Sequence, residues 1–392
     1  MDLCKPFYGM DQGYFEGKGC GHTAREIAHQ PDMWRKLCTV LKENKQAIND
    51  FMTALGPLKD MRIILTGAGS SGFVGHAVSG FAAKSAGIHS EAIHTTDIVS
   101  APEICLFPDI PTLLISFARS GNSPESVGAV EYARKLVKNL YEVAIVCDGT
   151  SRLSQVTRES DKSLVLVMPE GTNDKGFAMT SSVSSMTLAG FALLNWCKID
   201  EITADIAILS DQVEKDGQAL SQAAVTCAGW NSERAWYLGS GPLIALIKEG
   251  ALKMMELSNG AVVAGYNGAV EFRHGPKTVL NPKTVTLHFV SNTPFTAKYD
   301  MDLLNELYRE RDGNKVIALY NKATGVVDAD LAVPYSAEGY GIGADIAVGI
   351  QGLVFMQLLS MHTSLALGIG TDNPSPKGLV NRVVQGVTVY PV

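Results

Sequence analysis

The strongest constraint on the fold is a repeat at a spacing of 172 residues. Gly67 and Gly69 of "MRIILTGAGSSG" recur as Gly239 and Gly241 of "ERAWYLGSGPL". The same offset lays "TLLISFARSGNSP", from Thr112, over "TVTLHFVSNTPFT", from Thr284. It also carries "EVAIVC" (142–147) onto "NKVIAL" (314–319). Three strand-like runs in register at one offset imply a tandem duplication. In each copy, short Val/Ile/Leu-rich runs alternate with helix-like stretches. That pattern predicts an α/β chain of two tandem domains, each a doubly wound parallel sheet with helices on both faces.

The domains are expected at 55–200 and 225–370, joined by a polar helical linker over 201–224. An N-terminal helical segment, 1–54, reads as a pair of helices broken near Pro31. A Pro/Gly-rich tail, 371–392, closes in a short β-like run. At 392 residues, 46% hydrophobic and 19% charged, the chain has the composition of an ordinary globular protein and the length of two domains. A net charge of −7 without a Lys/Arg run argues against nucleic-acid and acidic-membrane partners. The seven cysteines form no C-x-x-C pair, which suggests reduced thiols rather than disulfides or zinc. The N-terminus has no signal-peptide-like stretch, and no run is expected to reach the length of a membrane span. These features point to the cytoplasm.

The strand-end loops suggest an anion. "GAGSSG" (67–72) matches G-x-G-x-x-G between a strand and a helix, and Glu91 lies about 20 residues on, where a ribose-binding acid would stand. A nicotinamide-dependent enzyme is therefore one reading. "ARSGNSPES" (118–126) and "GFAMTSSVSSM" (176–186) add hydroxyls at two further helix starts. Such loops converge on one crevice in a parallel sheet, and several hydroxyls with helix amides suit a small phosphomonoester. The alternative is that Ser, Thr, Asn and Gly merely cap helices there. The matching second-half loop, "SNTPFT", is poorer, so only one half is expected to keep the anion site.

The second half carries the ionisable groups. Glu249, Lys253 and Glu256 form one stripe on an otherwise apolar helix, "KEGALKMMELSNG". "EFRHGP" (271–276) supplies Glu271, Arg273 and His274, the last eighteen residues beyond Glu256. A carboxylate in apolar surroundings with a lysine beside it suits a general base near neutral pH, and His274 could serve as a second acid/base group. The competing reading is an internal Glu249–Lys253 salt bridge, with Glu256 on a solvated edge and His274 a turn residue. His76, His288 and His362 read as packed residues. No metal-ligand spacing and no G-x-S-x-G elbow appears, so neither a metal nor another cofactor is expected.

Taken together, "GSS", "ARSGNSPES" and "EGALKMMELSNGAVVAGYNGAVEFRHGP" closely resemble the sugar-isomerase (SIS) domain family. They look like the isomerase half of glucosamine-6-phosphate synthase, and "TAREIAHQP" and "GTDNP…VQGVTV" extend the likeness over nearly the whole chain. The arrangement is nearest to the bacterial D-galactosamine-6-phosphate deaminase/isomerases, also known as tagatose-6-phosphate ketose/aldose isomerases. The resemblance implies that Ser70, Ser71, Arg119, Ser120 and Ser123 hold a sugar phosphate, with Thr180 beside the sugar chain. It implies that Glu256 is the base acting at C1 and C2, that His274 assists ring opening, and that Glu249 and Lys253 flank the base. In these relatives the histidine loop comes from the neighbouring subunit, which implies at least a homodimer with shared active sites.

One position departs from the pattern. Where the synthase has a tail lysine, this sequence has Gln385, so no Schiff base can form there; Lys377 lies eight residues away. The departure suits a deaminase, whose substrate brings its own C2 amine. A ketose/aldose isomerase of a neutral sugar phosphate, such as tagatose 6-phosphate, and a non-catalytic sugar-phosphate sensor are the alternatives.

Overall fold

The computed structural model describes residues 9–384 and 386–392. It divides into two compact units. The first comprises Asp32–Asp174, Ser181–Ala207 and Val380–Val392; the second comprises the chain up to Pro31, Lys175–Thr180 and Ile208–Leu379.

The first unit is built on β1 (Arg62–Thr66), β2 (Glu91–Ala92), β3 (Thr112–Ala118), β4 (Leu140–Val146) and β5 (Ser163–Val167). All pairings are parallel, in the order β2-β1-β3-β4-β5. Every residue of β3 is buried, as an unbroken apolar run in a sheet covered on both faces requires. Helices Ser70–Ala86 and Pro124–Leu136 follow β1 and β3. Helix Ser181–Leu194 is buried along its whole length.

The second unit holds β6 (Arg234–Gly239), β7 (Val263–Gly268), β8 (Thr284–Phe289), β9 (Lys315–Asn321) and β10 (Leu331–Tyr335). They are again all parallel, in the order β10-β9-β8-β6-β7. Read from its other end, this is the strand order of the first sheet. The expected fold class, two doubly wound parallel sheets, is what the chain adopts. Helix Leu243–Leu257 packs on helix Ala344–Ala366, closely enough that a Cβ on Gly250 would come within 2.5 Å of the Met356 sulfur. In the same unit, Asp372 accepts from the amides of His22 and Thr23 and from the Thr23 hydroxyl, at 2.8–2.9 Å.

Three expectations need correction. The N-terminal helices number more than a pair: Gly21–Ala28 breaks from Gln30–Glu43 at His29, and Lys45–Ala54 follows. Pro31 sits in the first turn of its helix, where its missing N–H costs nothing. The tail forms no strand among its described residues. One run is long and apolar enough to span a membrane, the helix Ala344–Ala366, but 89% of its most apolar window is buried inside the protein, as in a core helix.

Candidate active site

In the first unit, "GAGSSG" turns the chain from β1 into helix Ser70–Ala86. Gly69, just before the helix, has φ +55°, a positive value that side chains rarely adopt and glycine adopts readily. Gly67 has no room for a side chain, because a Cβ would lie 2.5 Å from the Ser71 carbonyl carbon. Ser70 and Ser71, both 5% exposed, occupy the first helical turn. "ARSGNSP" does the same after β3, leaving Ser120 and Ser123 partly exposed. β1 and β3 are paired neighbours, and the strand order reverses direction between them. Both loops therefore stand at the carboxyl edge of the topological switch point, where α/β sheets bind ligands. Two helix N-termini there present their positive dipole ends.

Arg119 is the cation of this group and is 7% exposed. Its Nη2 donates to the carbonyl of Arg382 at 2.6 Å. Arg382 in turn donates from Nε to the carbonyl of Asp174, at 2.9 Å, and from Nη2 to Asn173 Oδ1, at 3.1 Å. The tail is thus tied to the guanidinium in the loop that follows β3. No local feature of the sequence signals that tie, because the partners are 263 residues apart.

The third Ser-rich loop is a helix cap. The carboxylate of Asp174 accepts from the amides of Ser181 and Ser182, at 3.1 and 3.0 Å, and from their hydroxyls, at 2.7 and 2.5 Å. Those two hydroxyls are held by protein, and an acid seven residues ahead of the helix start was the available signal. Glu91, the acid a dinucleotide reading needs, spends both oxygens on Arg62, at 2.7 and 2.8 Å.

The second unit's own switch point, between β6 and β8, is filled differently. Asp300, 2% exposed, accepts from the Ser240 hydroxyl at 2.5 Å and from the Ser291 amide at 2.8 Å. Burial holds its carboxyl above the usual range, against the pull of these hydrogen bonds. An internal carboxylate thus takes donors at the loops that match the Ser-rich strand-end loops of the first unit.

Also in the second unit, helix Leu243–Leu257 holds the charged stripe. Lys253 is wholly buried and lies 3.2 Å from the buried Glu249. It also donates to Glu256, whose side chain remains 26% exposed. Burial disfavours the Lys253 ammonium, but the two carboxylates together outweigh it and hold its pKa above the ordinary lysine value. The anticipated Glu249–Lys253 bridge therefore exists, and of the three groups only Glu256 keeps substantial access to solvent. His274 is exposed at the end of a 3-10 turn, Glu271–His274, whose Phe272 is buried. Thr180 is fully buried, and its carbonyl accepts from Gln357 at 3.3 Å. The predicted residues thus fall into two sets. Ser70, Ser71, Arg119, Ser120 and Ser123 belong to the first unit, and Thr180, Glu249, Lys253, Glu256 and His274 to the second. Lys377 is exposed on a turn, and Gln385 lies outside the described residues.

Residues 58–195 match the SIS domain family. The chain is 40% identical to an AgaS protein of Streptomyces coelicolor, over 94% of this chain and 95% of that one. It is 38% identical, over the same shares, to the D-galactosamine-6-phosphate deaminase AgaS of Escherichia coli. Among solved structures, the tagatose-6-phosphate ketose/aldose isomerase from Escherichia coli superposes with a TM-score of 0.86 at 35% identity, covering 94% of this chain and 96% of that one. Matched at this identity along nearly the full length of both chains, the protein belongs to the AgaS family of SIS-domain proteins.

Proposed function

We propose that the chain is a deaminating isomerase that converts an amino-sugar 6-phosphate, galactosamine 6-phosphate in preference, to a ketose 6-phosphate and ammonia. The observation that carries this reading is the Glu249–Lys253–Glu256 cluster. A buried ammonium is held between two carboxylates, and one of them, Glu256, opens to solvent. A carboxylate positioned by fixed neighbours and open to a substrate is what removal of a proton beside a carbonyl needs.

In this mechanism the hydroxyls and amides around Ser70, Ser71, Ser120 and Ser123, with Arg119, hold the phosphate, and Thr180 lies beside the sugar chain. His274 transfers the proton that opens the pyranose to its aldehyde. Glu256 then takes the C2 proton, leaving an enolamine, and returns a proton to C1 to give the C2 ketimine. Water adds to that carbon and ammonia leaves, so one hexosamine phosphate and one water yield one ketose phosphate and one ammonia. Glu249 and Lys253 fix the charge and position of Glu256. The E. coli deaminase at 38% identity supports the amino-sugar substrate. The solved isomerase at 35% identity favours a second reading, the same proton shuttle on tagatose 6-phosphate through an enediol.

Two properties go with the proposal. The enzyme works in the cytoplasm, in keeping with six described cysteines that are all free thiols. It works as a homodimer with shared sites, in keeping with apolar exposure along β7, the outer strand of its sheet.

Ammonia release from a panel of hexosamine 6-phosphates, run beside Glu256→Gln, tests the reaction. Galactosamine 6-phosphate should give ammonia, and the variant should lose about 10²- to 10⁴-fold in kcat. Interconversion of neutral aldose and ketose phosphates without ammonia from any amino sugar would sink the deaminase reading. Full activity in Glu256→Gln would sink the mechanism for either substrate.

A further inference from the structure

The segment that carries His274 has little structure of its own. A 3-10 turn over Glu271–His274 is followed by Gly275 at φ +128° and a second 3-10 turn over Pro276–Val279. Short 3-10 turns have few internal hydrogen bonds of good geometry. The direction of the His274 side chain must therefore be set from outside the segment.

Helix Pro294–Arg309 holds this segment from two sides. Phe272, fully buried, packs with Leu303 and Leu307 of that helix. Glu306, between them in sequence, receives Arg273 Nε on one carboxylate oxygen at 2.8 Å and Lys277 Nζ on the other at 2.5 Å. Lys277 also reaches Glu310 at 2.8 Å. Partial burial raises the Glu306 pKa, but the hydrogen bonds from the two cations outweigh this and hold its carboxyl below the ordinary range. One exposed ion pair would add little to stability. Two cations on the two oxygens of one carboxylate do something else: they fix the residue just before His274 and the residue three beyond it to a single rigid helix.

We propose that Glu306 is a positioning residue, which clasps the His274 segment through Arg273 and Lys277 and thereby aims the imidazole for ring opening. The inference rests on the role given to His274 above.

The test compares the natural pyranose with its 4,5-dideoxy analogue, which lacks both hydroxyls able to close a ring and needs no opening. Glu306→Gln should lower kcat/KM for the pyranose on the order of 10- to 100-fold, as a misaimed group does. Its rate on the open-chain analogue, relative to wild type, should be unchanged. His274→Asn should show the same selectivity, and adding Glu306→Gln to it should cost nothing more. Arg273→Gln with Lys277→Gln opens the clasp from the other side and should reproduce the result. The inference fails if Glu306→Gln slows both substrates alike, or if it adds its full effect to His274→Asn. If His274→Asn itself spares the pyranose rate, the role of His274 falls and this inference with it. A selective His274→Asn beside an unselective Glu306→Gln removes the clasp alone.

Discussion

Burying an ammonium costs several kcal/mol unless carboxylates meet it, and Lys253 meets two. Removing its charge takes away an ion-pair partner of Glu249, whose side chain is almost wholly buried. Lys253→Met should therefore destabilise the protein by about 3–5 kcal/mol in urea unfolding, and Glu249→Gln added to it should recover most of that loss. The pH dependence has a definite sign. The folded pKa of Lys253 lies above its ordinary value of 10.5. Its contribution is thus complete below pH 10.5 and is lost as pH rises through the folded value. The stability gap between wild type and Lys253→Met should stay constant at neutral pH and narrow on the alkaline side. A gap that widened with pH would mean the lysine is held uncharged. The three charges were legible in the sequence as one helical stripe. Their depth was not, because a 3.6-residue period marks a face without saying what covers it.

At the level of elements, strand–glycine turn–helix order was readable because it is local: Gly67 and Gly69 answer to contacts and backbone angles within a few residues. The Ser-rich loops show where local reading stops. A hydroxyl at a helix start looks the same whether it meets a ligand or, like Ser181 and Ser182, the carboxylate of Asp174. The Arg382 strap was out of reach for the same reason, since it joins the tail to a loop in the first sheet. That strap supports a prediction about Arg119. Arg382→Ala frees the tail from Asn173 and Asp174, so the carbonyl that holds the Arg119 guanidinium is no longer fixed. Inorganic phosphate should then inhibit about tenfold more weakly, the equivalent of one charge-assisted hydrogen bond. KM for the sugar phosphate should rise in proportion while kcat holds. Phosphate inhibition equal to that of wild type would show that the strap plays no part in anion binding.

For the whole molecule, the 172-residue offset foretold two sheets of one strand order. It could not foretell that Thr180 joins the second sheet's unit, since a short excursion of the chain leaves no periodic trace. Nor does sequence order disclose what covers an exposed edge. Around β7, Met255 is 39% exposed, Val263 58%, Tyr266 41% and Val270 47%. An outer strand flanked by apolar side chains invites a second chain, and Glu256 and His274 stand on the elements that flank it. If a second copy covers this edge across a two-fold axis, each copy lends the other its His274. Mixing inactive subunits tests that arrangement directly. Glu256→Gln and His274→Asn homodimers should each be nearly inactive on the pyranose. After unfolding together and refolding in equal amounts, half the dimers are mixed, and each mixed dimer holds one site with both native groups. Activity should recover to about a quarter of the wild-type value for a two-fold interface. Sites built within one chain would give no recovery at all. Val263→Lys with Tyr266→Lys should leave each unit folded by circular dichroism, shift sedimentation to a monomer and abolish activity. A dimer that survived those charges would place the interface elsewhere.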